Sequence, residues 1–247
     1  RLCIATGGYP KSSHFEWLRK LGHTIEEPVP SLFTFNLPGH SITTLMGVAT
    51  RVKAKIEGTK LAEEGPLLIT HWGLSGPAIL RLSAWGAREL SKKNYGFVVH
   101  VNWLPEFNEQ SLKALFTQHR QGSPSQKLVN FKTALPLRLW HYLLEQSGIN
   151  DENRWADLPA RFENMLIKNL LDYTVTVSGK TTFKEEFVTA GGITLSEIDA
   201  NTMMSKKVNN LFFAGEVMNV DGITGGFNFQ HAWTSGYIAA KSMSPKP

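Results

Sequence analysis

Residues 211–228 hold the densest set of groups able to bind and polarise a ligand. The run Leu211-Phe212-Phe213-Ala214-Gly215-Glu216 is followed by Asp221-Gly222-Ile223-Thr224-Gly225-Gly226-Phe227-Asn228. Its apolar part has the length and texture of a short buried strand. Glycines let a backbone approach a ligand closely, because no Cβ intrudes. A helix that starts after Gly226 offers free N–H groups and a partial positive charge. That end suits a phosphate, a carbonyl oxygen or the anionic edge of a flavin ring. Glu216, an acid just past a strand, suits a hydroxyl-rich group such as a ribityl chain. A tight strand-to-helix connection also uses glycines, and for a single Gly-Gly pair that is the commoner reason. The whole glycine run, with an acid after the strand, favours the ligand.

Other side chains offer less. His71, in Thr70-His71-Trp72-Gly73-Leu74-Ser75-Gly76-Pro77, is the catalytic candidate, able to donate to a substrate carbonyl or a ring nitrogen or oxygen. The alternative is a histidine that fixes the Thr70–Gly76 turn. His231, one turn into the last helix, is expected to pack or cap. His14, His23, His40, His100, His119 and His141 show no metal-ligand spacing, so no metal site is expected. Trp72 has the shape to stack on a ring, but tryptophan is usually core. There is no Gly-x-Ser-x-Gly elbow, which argues against a serine hydrolase. Cys3 is the one cysteine, so no internal disulfide is expected.

The elements that position these groups follow from periodicity. Leu2-Cys3-Ile4-Ala5-Thr6-Gly7-Gly8 predicts a buried strand ending in a glycine turn. Phe15 to Leu21 predicts a short helix, with Gly22 as its C′ residue. From Pro28 the pattern is that of strands: 32–35, 48–56, 67–70 and 95–103, the last with Phe97, Val99 and Val101 on one face. Pro77 opens a helix running to about Lys92. Residues 106–172 are helical, with apolar stripes through Leu112 and Phe116, Leu139 and Leu143, and Leu166 and Leu170. Tyr173–Val177 and Glu186–Thr189 return to strand, Gly191-Gly192 makes a turn, and a final helix covers about Phe229 to Lys241. The two α/β ends are expected to come together, with the middle as an excursion from them.

Bulk properties narrow the class. The chain has 247 residues, 42% of them apolar and 19% charged, the balance of a globular protein. No apolar run approaches the ~20 residues of a membrane span, and a cytoplasmic location is expected. The net charge is +5, with 12 Lys and Arg against 7 Asp and Glu in residues 1–105. That bias helps to recruit anions. It leaves a second functional class: a basic β-barrel module, with Arg51, Lys53 and Lys55 on one strand face, binding nucleic acid or another anionic partner. No Arg-rich run or aromatic RNA-recognition motif supports it, so nucleic acid is not the expected partner.

The motifs as a set resemble a known family. Asn210 to Val217 with Val220 to Asn228 resembles the closing motif of the YhiN/BaiN-like NAD(P)/FAD-dependent oxidoreductases. Val188-Thr189-Ala190-Gly191-Gly192-Ile193 resembles that family's turn beside the flavin. Thr70 to Pro77 resembles its motif in the β-rich domain, and Ala5-Thr6-Gly7-Gly8 the strand-turn that meets FAD. The similarity covers essentially the full chain. It implies an α/β (α+β) fold: part of a split FAD-binding Rossmann-like domain with an inserted β-barrel-like domain and a small helical subdomain. The blocks fall at 1–27 and 190–247 for the flavin domain, 28–105 and 173–189 for the barrel, and 106–172 for the helices.

The resemblance also implies a site. FAD would be bound by Thr6, Gly7, Gly8, Gly191, Gly192, Gly215, Glu216, Gly222, Ile223, Gly225, Gly226, Phe227 and Asn228, with NAD(P)H as an electron donor and a small organic substrate. The family's N-terminal strand–Gly-x-Gly-x-x-Gly–helix unit does not occur in these residues. The stretch Tyr9–His14 is shorter than its family counterpart, and Asn219 stands where members commonly have Asp. Arg1 falls in mid-strand, with no initiator Met or signal-like segment. The expectation is therefore a C-terminal portion holding half a flavin site, inactive by itself.

Overall fold

A computed structural model describes residues 1–180 and 188–244. In chain order the first half contains β1 (Leu2–Ile4), α1 (Glu16–Lys20), β2 (Ile25–Ser31), β3 (Phe35–Asn36), β4 (Ala49–Ile56), β5 (Ala62–Ile69), β6 (Gly73–Ser75), α2 (Pro77–Trp85), α3 (Ala87–Lys92) and β7 (Gly96–Asn102). Then come α4 (Glu109–Gly122), α5 (Leu137–Gln146), α6 (Ala160–Leu171), β8 (Tyr173–Ser178), β9 (Val188–Ile193), β10 (Ile198–Asp199), β11 (Met204–Ser205), β12 (Leu211–Phe213) and α7 (Phe227–Met243). Of the predicted strand Glu186–Thr189, Glu186 and Phe187 lie outside the described residues. No helix among the described residues is long and apolar enough to cross a membrane.

The chain forms two compact units. Unit 1 is Arg1–Phe33, Leu80–Asn94 and Thr182–Pro247; unit 2 is Thr34–Ile79 and Tyr95–Thr181. The segment 80–94, which sequence places in the strand-rich block, packs in unit 1, where α3 lies against β2. The helices 109–171 pack within unit 2 and do not separate as a third body.

Unit 2 is a six-stranded antiparallel sheet in the order β3-β6-β5-β4-β7-β8. It is nearly closed into a barrel: Phe35 bridges to Lys180, and Asn36 N–H donates to Gly179 O at 3.3 Å. Alternation produces this shape. Along β4, Val52, Ala54 and Ile56 are buried while Arg51, Lys53 and Lys55 face water, the period of a half-buried strand. The predicted faces of β7 hold, with Phe97, Val99 and Val101 inward. The helices bury Trp140, with Trp155 beside them, and Trp140 Nε1 donates to Leu128 O at 3.0 Å. The predicted helix from Pro77 to Lys92 is broken at Gly86 into α2 and α3.

Unit 1 contains a four-stranded sheet, β1-β12-β11-β10, and a two-stranded one, β2-β9. Phe15, Leu18, Ile193, Leu211, Phe213 and Val217 form its core. Gly22 (φ +90) ends α1 as predicted, and Leu21, about 120° around the helix from Phe15, lies at the surface.

A buried polar chain pins three loops of this unit. Glu197 Oε2 accepts from Thr24 N–H at 2.9 Å and lies 3.1 Å from His23 Nδ1, while Oε1 is 2.7 Å from Lys207 Nζ. His23 Nε2 is 3.0 Å from Ser205 Oγ. Burial raises the Glu197 pKa, but hydrogen bonds from Lys207, Thr24 and His23 outweigh it and hold the carboxyl at about 2. A carboxylate depressed in the folded state stabilises it above the unfolded value near 4.5. That contribution is lost as pH falls from there towards 2. The urea midpoint is expected to drop between about pH 5 and pH 2, and Glu197→Gln is expected to be weaker at neutral pH and to flatten that drop. An acid profile of Glu197→Gln that overlays the wild type would contradict this assignment.

Candidate functional site

β1 and β12 run parallel, with Leu2 opposite Leu211 and Ile4 opposite Phe213. Their carboxyl ends therefore open on one side, and Ala214 N–H donates to Ile4 O at 2.9 Å. In open α/β sheets ligands bind beyond the carboxyl ends of the strands. A cavity of about 600 Å³ lies there, within the usual ~300–1,000 Å³ of small-molecule sites. Ala5 and Gly7 wall it from the β1 side, Ala214, Gly215 and Glu216 from the β12 side, and Ile223 to Gly226 with α7 close the remainder.

The start of α7 is built to leave donors unpaired. Gly226 is the N-cap at φ +86 after Gly225 at φ +123, values that favour glycine, and no side chain caps the helix. The first helical bond is Gln230 N–H to Gly226 O, 2.9 Å. The N–H groups of Phe227, Asn228 and Phe229 precede it and have no intrahelical acceptor. The helix is seated by Ser235, whose Oγ accepts from Gly215 N–H at 2.9 Å and donates to His231 O at 2.7 Å. Asn228, Ala232 and Gly236, four residues apart, form its cavity face.

The acids at the rim are held in place. Glu216 Oε1 accepts from Thr189 N–H at 2.6 Å. Asp221 Oδ2 accepts from Ser31 Oγ at 3.0 Å, tying the end of β2 to the glycine loop. The next residue, Leu32, lies on the cavity wall at φ +56. A leucine there carries strain of order 1–2 kcal/mol, of a kind that collects at functional sites.

Of the predicted site residues, Gly7, Gly215, Glu216, Ile223, Gly225, Gly226 and Asn228 line this cavity. Thr6, Gly8, Gly191, Gly192, Gly222 and Phe227 do not. Gly8 is a packing glycine: a Cβ would lie 2.9 Å from Glu216 Cδ. Gly191 and Gly192 are not a turn but the buried middle of β9. A Cβ on Gly191 would stand 2.7 Å from Glu27 O, and one on Gly192 2.5 Å from Val217 O, so both exist to let backbones touch. Gly222 is hemmed in by Phe227 and Asn228, and Phe227 points outward, 56% exposed. Thr6 is exposed beside the cavity loop.

His71 belongs to unit 2, exposed in the β5–β6 turn with its ring centroid 3.3 Å from that of Trp72. The turn is fixed by Thr70, whose Oγ1 donates to Gly73 O and accepts from Gly73 N–H. Sequence missed His231 instead. It lines the cavity, and its Nε2 is buried with no hydrogen-bond partner among the described residues. The signal was its place on α7 beside the Asn228-Ala232-Gly236 face. Ser205, His23 and Glu197 repeat the contact order of a hydrolase triad, but Ser205 is 3% exposed and its Oγ also accepts from Lys207 N–H and Val208 N–H. That serine is a structural link.

Comparison with known proteins identifies the family. Residues 29–188 match the family described as the HI0933-like protein barrel and H2TH domain. The chain is 30% identical over 258 residues to a 3-dehydro-bile acid delta(4,6)-reductase of Clostridium scindens, covering all of this chain and 63% of that protein. It is 34% identical over 213 residues to a ribosomal RNA dihydrouridine synthase of Escherichia coli, covering 85% of this chain and 50% of that protein. A protein of the same description from Haemophilus influenzae is 31% identical over 257 residues, covering 98% and 60%. The chain thus spans between half and about three-fifths of the length of these relatives. With the family's barrel matched over well over half of the chain, and the closing glycine motif wrapped around a cavity at the carboxyl ends of β1 and β12, the chain belongs to the HI0933-like family, the YhiN/BaiN-like group that its motifs resemble.

Proposed function

We propose that unit 1 carries the ring-side part of a flavin site, and that the full-length protein is an FAD-dependent reductase of carbon–carbon double bonds conjugated to a carbonyl group. The observation that carries this reading is the cavity itself. Its lining is largely apolar, through Ala5, Leu32, Val188, Val220, Ile223 and Ala232, as a flat ring requires. Its polar groups are few and convergent: the N–H groups at the head of α7 that have no intrahelical acceptor, the Glu216 side chain, and His231 Nε2, which has no partner among the described residues. These fit an aromatic ring with one electron-rich edge.

The names of the relatives supply the reaction class. Removing a Δ4,6 double bond from a 3-keto bile acid and turning uridine into dihydrouridine both saturate an alkene joined to a carbonyl. Bound FAD would supply the hydride, refilled from NAD(P)H. The chain's residues would bind and orient: the α7 N–H groups hold the electron-rich ring edge, and the second oxygen of Glu216 accepts from a ribityl hydroxyl. Leu32 and Val188, on the cavity wall, would help to exclude water from a bound ring.

The pyrophosphate and adenosine would be held by sequence that the relatives have beyond the matched stretch. One feature supports this. Phe229, Trp233 and Tyr237, spaced four apart on α7, are 69%, 69% and 68% exposed, a stripe of a size that signals a cover. The barrel's basic row gives less support to an anion-binding module, since Arg51 is already bound through Nε and Nη2 to Glu64 Oε1.

The test is turnover by full-length protein reconstituted with FAD and given NADPH. Oxidation of NADPH is expected to depend on a conjugated substrate, either a 3-keto-Δ4 steroid or uridine-containing RNA. NADPH oxidation that neither compound accelerates would overturn the substrate class.

A further inference from the structure

Asn228 is the second residue of α7, past the Gly226 N-cap, the position whose side chain ordinarily satisfies the helix's first N–H groups. Its Oδ1 accepts from Gly222 N–H at 2.7 Å, and its Nδ2 donates to Gly222 O at 3.0 Å. One planar amide thus pairs with one residue's backbone in both directions and closes the loop 222–228 into a ring. A primary amide carries its donor and acceptor on separate atoms side by side, which suits this paired contact. Gly222 leaves no slack: a Cβ would lie 3.0 Å from Phe227 Cβ and 3.2 Å from Asn228 Oδ1. The clamp therefore fixes the wall formed by Ile223 to Gly226 and leaves the α7 donors uncapped. His231 Nε2, buried on the α7 side of the same cavity with no hydrogen-bond partner among the described residues, is a second polar group facing it.

We propose that Asn228 is a positioning residue that holds this loop in its ligand-binding shape before the ligand arrives, and that it thereby favours a ring carrying negative charge over a neutral one. The proposal rests on the flavin reading above. Two-electron reduction of the ring, with uptake of one proton, leaves a negative charge on it, and electrons from dithionite or NADPH bring it about. Donors held in fixed positions stabilise charge that develops without first reorganising. A loosened loop keeps the donors but loses that advantage, so the reduced form suffers more than the oxidised one.

The experiment measures FAD affinity and midpoint potential on the full-length protein with Asn228→Ala, Asn228→Asp and Gly222→Ala. Each variant is expected to lose about tenfold in preference for reduced over oxidised flavin, a fall of about 30 mV for a two-electron couple. Asn228→Asp keeps the acceptor and removes the donor but adds a negative charge that itself disfavours the reduced ring, so the uncharged variants Asn228→Ala and Gly222→Ala decide the clamp's role. Gly222→Ala strains the clamp from its other end and carries the test if Asn228→Ala does not fold. Unchanged potentials, or equal losses for both redox forms, would overturn the clamp's role. Wild-type protein that takes up no FAD would instead sink the flavin reading itself.

Discussion

Gly192→Ala is expected to cost unit 1 about 2–5 kcal/mol, adding left-handed backbone strain of ~1–2 kcal/mol to overpacking of ~1–3 kcal/mol. Gly192 sits at φ +124 in the buried centre of β9. An added Cβ would stand 2.5 Å from Val217 O and 2.9 Å from Met218 C, both backbone atoms that cannot swing aside. Net stabilities are only about 5–15 kcal/mol, so such a loss removes much of the fold. Since residues 217 and 218 directly follow Glu216, the cavity should suffer with the fold. Urea denaturation of the variant checks this. A stability within about 0.5 kcal/mol of wild type, the range of an ordinary surface change, would show that β9 and the 217–218 segment are not packed as described.

Gly226→Val is expected to do the opposite: leave the fold nearly intact and abolish flavin binding. No heavy atom lies within 4 Å of a Cβ at this position, so only the strain of a branched residue at φ +86 is added, about 1–2 kcal/mol. The consequence falls on the ligand, because the helix start must shift and a side chain enters the cavity. Affinity for FAD should drop at least about tenfold, which is ~1.4 kcal/mol, and the protein should lose its yellow colour. Gly58→Val is the control, at φ +69 in a unit 2 turn with equally open space. It should show a similar melting shift with flavin retained. Equal flavin content in Gly226→Val and wild type would mean that the head of α7 does not face the ring.

These two glycines show where sequence is legible and where it is not. The strand–glycine–helix run from Leu211 to Met243 can be read directly, because every contact that gives it meaning is local: a strand, its carboxyl end, and the helix a few residues on. The barrel strands are legible for the same reason, since alternation along β4 and β7 is a property of each strand alone. Gly191-Gly192 is misread as a turn because its reason is remote. Glycine there serves close passage of Glu26–Pro28, some 165 residues earlier, and of Val217–Met218. The pairing of β2 with β9 is hidden likewise, and Pro28 and Pro30 conceal β2 itself, whose register shifts between Glu26 and Val29. His231 is passed over because a helix hides which side faces a cavity until its partner is placed, and here the partner is Gly215, beside Ala232. His71 attracts notice by its motif, yet Thr70 does the bonding in its turn.

The most direct test of the flavin site is to bind FAD carrying an azide on its isoalloxazine ring to the full-length protein, irradiate it, and map the adduct by peptide mass spectrometry. The expected labels lie on the segments that wall the cavity, Ala5–Gly8 and Gly215–Gly236, and they should be displaced by excess FAD and absent in Gly226→Val. Labelling confined to the barrel residues 34–79 and 95–181, or labelling that excess FAD does not compete away, would contradict the assignment of the cavity to the flavin.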